Sequence, residues 1–230
     1  MIPVLYPGDI DISTLSSNTS VGLGELVDAI SPVVLEERNG EFEFSMDYPI
    51  TGIHFDEILT GSYIKAKPAV GGKDQFFRVY RITKPIDGIC TVNAEHVSYL
   101  LNGYVCAPFV LTKRNENEIQ PVQVLDALDD HVVGKYSTPF TFVSTDTRKI
   151  DKFELDYPEN FRAMLGGVSG SVLDVYNGGE YEFDNETVKF HDNRGADNGV
   201  TIAYGKNLTE LKQEISDENI ITGVYPYWNK

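Results

Sequence analysis

The sequence predicts an α+β, β-rich fold, on three observations: strict apolar–polar alternation in several short runs, turn residues between those runs, and helical spacing confined to the middle of the chain. In "EFEFSMDY", residues 41–48, the apolar Phe42, Phe44, Met46 and Tyr48 alternate with Glu41, Glu43, Ser45 and Asp47. This is the two-residue period of a half-buried antiparallel strand. Residues 33–38 read as its partner, because Asn39-Gly40 between the two runs is the strongest short hairpin signal a sequence offers. "SYIKAKP", "DQFFRVYRITKP" and "GICTVNAEH" supply three more strand-like runs, separated by the turns "AVGGK" and "PIDG". Five or so strands in the first 95 residues predict a small β-barrel or sandwich.

The middle changes character. "AEHVSYLLNG" places Ala94, Val97, Leu100 and Leu101 on one helical face with Gly103 as the stop. "QPVQVLDALDDHV" starts a second helix with Pro121 in the first turn. "PFTFVS" is a strand, and a third helical stretch begins in "DYPENFRAMLGG" and continues into "SGSVLDVYNGG". After Gly179 strands return: "EYEFD" and "TVKFH" alternate around a turn of Asp184, Asn185 and Glu186, and "NGVTIAYGKN" follows as a third. "LTELKQEIS" fits a short amphipathic helix or a twisted strand. The chain closes on a strand-like "IITGVYPYWNK" with no capping or tail signal, as expected of a segment that continues.

Composition bounds the function. With 230 residues, 13 Tyr and 12 Phe, the chain has material for a sizeable core in one large or two modest domains. No apolar run approaches the ~20 residues needed to span a bilayer. The start "MIPVLYPGDIDIS" lacks a secretory signal, which places synthesis and assembly in a cytoplasm. A formal charge of −16 repels phosphate backbones and anionic membranes, so ordinary nucleic-acid or lipid binding is disfavoured.

Catalytic and metal sites were sought in the same residues. Cys90 and Cys106 stand outside any CxxC and read as incidental thiols. His54, His96, His131 and His191 are too scattered for HxH or HExxH, so each reads as an ordinary strand or helix residue. A Cys/His pair assembled in space from Cys106 or Cys90 with His131 or His96 is a weak signal. The stretch 180–207, crowded with Asp, Asn and Gly, lacks the register and closing Glu of a calcium loop. Neither "AVGGKDQ" nor "AYGKNLTE" has phosphate-loop spacing, and "GLGEL" at 22–26 lacks the dinucleotide pattern. Turn formation explains the composition of 180–207 best. No catalytic, cofactor or metal residue is therefore assigned.

Five stretches carry a resemblance. "MIPVLYP", "NGEFEFSMDYP", "AEHVSYLL", the long block "GSVLDVYNGGEYEFDNETVKFHDNRGADNGVTIAYGKNL" and "NIITGVYPYW" together resemble the N-terminal region of the prophage tail proteins of Gram-positive bacteria. That family is labelled minor structural protein, prophage endopeptidase tail protein or tail-associated lysin. The resemblance implies a phage baseplate-hub-like fold with tube-type β-barrel domains and an inserted α+β domain. The expected division is 1–100 for an N-terminal barrel, 101–176 for the α+β domain and 177–230 for a second β-rich domain that completes a barrel or continues further.

Such hubs are homotrimers, and two barrels per chain let a threefold object dock on a sixfold tail tube. Implied partners are distal tail and tail-tube proteins, the tape-measure protein and tail fibre or receptor-binding proteins, with DNA only as passing cargo and no membrane contact. The implied location is the virion tail tip, with no cofactor and no enzyme activity in this region, any lytic module following it. Two other readings stay open: a peptidoglycan endopeptidase, and a cell-wall carbohydrate-binding module using surface aromatics such as Trp228. The acids either line a DNA channel or solvate the outside.

Overall fold

In the computed structural model the described residues are 2–69, 71–83, 88–113, 118–134, 137–195, 199, 201, 203, 204 and 206. Residues 1–194 form one compact unit and 195–230 a second. The first unit is built on a seven-stranded antiparallel sheet in the order β2-β1-β5-β6-β7-β4-β3, curled into a half-barrel. Its strands are β1 (Val4–Tyr6), β2 (Gly24–Glu25), β3 (Ile30–Glu36), β4 (Phe42–Pro49), β5 (Tyr63–Ala66), β6 (Gln75–Thr83) and β7 (Ile89–His96).

The alternation read in 41–48 is the one observed: Phe42, Phe44, Met46 and Tyr48 are buried, and the residues between them are not. β4 pairs with β3 on one side and β7 on the other, so its apolar face meets Phe77, Val79, Val92 and Ala94 from β6 and β7. Each buried aromatic there contributes on the order of 2–3 kcal/mol. Asn39, with φ of 54°, makes the predicted β3–β4 turn.

A second layer follows β7. It holds β8 (Val105–Cys106), β9 (Phe109–Thr112), α1 (Pro121–Asp130), β10 (Thr141–Ser144), β11 (Lys152–Leu155), β12 (Glu159–Asn160), α2 (Phe161–Leu165), α3 (Val172–Val175), β13 (Glu180–Asp184) and β14 (Thr187–His191). β10 runs parallel to β14, which closes an antiparallel hairpin with β13. β9 pairs with β11 and β8 with β12. Phe142, Phe153, Phe161, Leu125, Leu128, Val188 and Phe190 form the core between them.

The helix at Pro121 forms as expected, with Pro121 at its first position and the Gln123 side chain accepting from the Gln120 amide. Two helical expectations are corrected. Ala94 belongs to β7, whose pairing with β4 and β6 holds the chain extended through His96, and residues 97–103 form a 3₁₀ turn. The third helical stretch is two short helices, because Gly167 and Gly170 between them take left-handed backbone, at φ of 112° and 81°. β1, β2, β8, β9, β11 and β12, of two to four residues each, were not read from the sequence. Half of the strand expected in "NGVTIAYGKN" falls outside the described residues, and the two segments after it fall wholly outside.

Candidate functional site

The most concentrated polar chemistry in the first unit lies where the half-barrel meets the second layer, and two asparagine turns make that junction. Asn185, at φ of 52°, is in the β13–β14 turn. Its Nδ2 donates to the carbonyl of Asp74 at 2.9 Å, and its Oδ1 accepts from the amide of Phe76 at 2.9 Å. Asn39, in the β3–β4 turn, does the same in the opposite direction. Its Nδ2 donates to the carbonyl of Gly179 at 2.8 Å and its Oδ1 accepts from the amide of Tyr181 at 2.9 Å.

A side-chain amide has the donor and acceptor of a peptide group, so each asparagine stands in for a strand neighbour on the backbone facing it. Gly179 itself lies tight against β14: at φ of 133°, an added Cβ would lie 2.4 Å from Cζ of the buried Phe190. Asn39 is exposed, so water can replace part of what it supplies. Asn39→Ala is therefore expected to cost about 1–2 kcal/mol, read as a lower urea midpoint with an unchanged slope.

Around Asn185 the network is dense. Gln75 Oε1 accepts from the Asn185 amide at 2.8 Å and bonds Nε2 of His96 at 3.1 Å, while Gln75 Nε2 donates to Asp184 Oδ1 at 3.2 Å. His96 Nδ1 accepts from the amide of Ser98 at 3.2 Å, which leaves Nε2 as the protonated nitrogen of a neutral ring. The ring is fully buried and stacked on Phe42 at 4.3 Å. Burial pushes its pKa down to about 3; the Arg162 charge adds to this and Asp184 opposes it.

Burial works against the Asp184 carboxylate, but hydrogen bonds from Lys189, Lys73 and Gln75 outweigh that and hold it at about 2. Glu186 accepts from the Ser16 amide and hydroxyl, fastening the turn to the N-terminal segment. Arg162 lies 3.9 Å from the Tyr99 ring centroid and 5.1 Å from that of Phe183, so the guanidinium is sandwiched between the layers. Clefts of about 250 and 370 Å³ flank Lys73.

This arrangement fastens two layers together; it does not assemble a nucleophile. Burial, and then Asp129, push the Cys106 thiol up to about 12, so it stays un-ionised at neutral pH. Cys90 is buried on β7. His131 stacks on Phe109 at 4.3 Å and bonds the carbonyl of Ala127. His54 pairs with Glu57, and His191 with Thr145 and Glu182. Among the described residues no group of three or more His, Cys, Asp or Glu is placed to hold a metal ion, and no helix is long and apolar enough to cross a membrane. The Asp-Asn-Glu turn at 184–186 is a turn, as read from the sequence, but its reach across the junction was missed, because nothing local distinguishes a clasping asparagine from an ordinary one. Trp228 lies outside the described residues.

No protein-family model matches the chain, and no curated protein matches it. Among solved structures, a prophage tail protein, gp18 of Listeria monocytogenes EGD-e, superposes with a TM-score of 0.59 at 15% identity, over 91% of this chain and 57% of that one. The E. coli c3393 protein, described as a type VI secretion component with structural similarity to the T4 tail proteins gp27 and gp5, aligns at a TM-score of 0.43 and 10% identity. That alignment covers 73% of this chain and 48% of the other. The chain thus spans little more than half the length of the Listeria protein. The β-rich, tail-protein architecture expected from the five sequence stretches is the one found, and this chain has the fold of a prophage tail protein.

Proposed function

We propose that the chain is a structural component of a phage or prophage tail, and that it acts as a trimeric hub at the tail tip. In that role it closes or extends the tail tube and forms part of the DNA channel. The observation that supports this reading is the fold: a curled antiparallel sheet backed by a small α/β layer, matching a prophage tail protein over nine-tenths of the chain. Its work is assembly, carried by surfaces and edges, and the dense network at the junction serves to make the two layers of one subunit rigid. Distal tail and tail-tube proteins are its neighbours, and DNA passes without being held, helped by the charge of −16.

Light scattering of the purified 230-residue chain across a range of concentrations is expected to give a mass of about three chains. A monomer at every concentration would remove the trimer. Incubation with purified cell walls tests the enzymatic alternative. Sustained muropeptide release by this chain alone would overturn the structural reading.

A further inference from the structure

The seven-stranded sheet has two ends, and its antiparallel registers fix what lies at each. At one end the starts of β4 and β6 and the closes of β5 and β7 meet the β13–β14 hairpin, through Gln75, His96 and Lys73. At the other lie the close of β4 and the starts of β3 and β5, with two loop segments: 23–30, which takes in the short β2 and leads into β3, and 50–62, which joins β4 to β5. Those loops expose six large aliphatic side chains: Leu23, Val27, Ile30, Ile50, Ile53 and Leu59, each 40–61% accessible. Single exposed aliphatics are ordinary, but six on two adjoining loops form a patch of the kind that marks an interface.

The two loops are locked to each other. The Ile53 amide donates to Asp28 Oδ2 at 2.9 Å, and the Tyr48 hydroxyl donates to the Ile53 carbonyl. An added Cβ on Gly24 would lie 2.1 Å from His54 Nε2, so the imidazole rests directly on the backbone of the first loop. A patch held this way is preformed, and binding to it orders little. Its charges are mostly acidic: the two loops carry Glu25, Asp28, Asp56 and Glu57, and Arg78 of β6 is the cation that lines the cleft shared by Leu23, Asp56, Glu57 and Leu59. Two such faces repel each other, whereas an apolar face bordered by cations complements this one.

We infer that this end of the sheet is a docking face for a different protein subunit, one presenting an apolar surface bordered by Lys and Arg. The inference rests on the tail reading above, in which that subunit is a neighbouring tail protein.

The test uses tails purified from a bacterium whose prophage encodes the chain, with the gene replaced by variants. Wild type and the control Tyr157→Asp, a 79% exposed position in the second layer, are expected in the tails. The double variant Ile53→Asp/Leu59→Asp is expected to fold, with its melting temperature within about 3 °C of wild type, yet to be depleted from tails about tenfold or more. Asp56→Lys, a change of exposed charge alone, is expected to lower incorporation in the same direction and decides the matter if the double variant does not fold.

Incorporation of both variants at the wild-type level would overturn the docking face while leaving the tail reading intact. Absence of the wild-type chain from tails would overturn both. A fall in the mass of the purified chain on introducing Ile53→Asp/Leu59→Asp would show a contact between copies and overturn the assignment to a different subunit.

Discussion

Unfolding in urea at pH 5.0 is expected to give a stability about 2 kcal/mol below that at pH 7.5, with His96 as the source. The imidazole is fully buried, uses both nitrogens as a neutral ring and has its pKa pushed down to about 3 by burial and by Arg162. An unfolded histidine takes up its proton near pH 6.5, so between 6.5 and 3 the unfolded state binds a proton that the folded state refuses. The stabilisation is thus complete above 6.5 and falls by about 1.4 kcal/mol per unit as the pH drops toward 3.

Carboxylates with lowered pKa, such as Asp184 and Glu182, lose their contribution only below the ordinary carboxylate range and so leave the window from 6.5 to 5 to the histidine. Glu95 and Asp126, raised by burial, act with the opposite sign, adding stability as the pH falls and so opposing the loss from His96. His96→Gln is expected to flatten the profile between pH 7.5 and 5.0 even though it destabilises the protein. An unchanged slope in that variant would rule His96 out as the source.

The second large effect is expected at Asn185. Asn185→Ala removes the acceptor of the Phe76 amide and the donor of the Asp74 carbonyl, and it forces an alanine into left-handed backbone. Stranding those two backbone groups costs about 1–3 kcal/mol each and the backbone about 1 kcal/mol, so a loss of about 3–7 kcal/mol is expected. Asn185→Gly relieves the backbone but does not restore the lost hydrogen bonds, and should recover only about 1 kcal/mol of that. If the glycine variant recovered wild-type stability, the clasp would have no energetic weight.

The contrast between β4 and Asn185 shows what a sequence can and cannot carry. Eight alternating residues state which face of β4 is buried, because burial of one face depends only on the strand's own period. The same holds for the β3–β4 turn, where Asn39-Gly40 favours the left-handed backbone locally. At His96 the reading of an ordinary strand or helix residue left the choice open, and it had no access to the partners, which come from β6 and the β13–β14 turn. Asn185 was read as a turn former and is one, while its second role is written in residues 74 and 76, more than 100 positions earlier. Helical spacing at 94–101 misled because strand pairing from both sides overrides an eight-residue period. The tail-protein fold was legible only by resemblance, since no motif in the chain has a chemistry that dictates its spacing.

The two asparagine clasps also bear on how the protein is made. Each joins segments 109 to 142 positions apart, so the edge of β6 at Asp74 and Phe76 leaves the ribosome well before the turn that will cover it. At synthesis rates of about 5–20 residues per second, that edge waits roughly 5–20 s without its final partner. During this interval the amide of Phe76 and the carbonyl of Asp74, at the start of β6, lack their final partners, although β6 itself is paired on both sides by β5 and β7. The nascent chain is therefore least protected before the β13–β14 hairpin is synthesised.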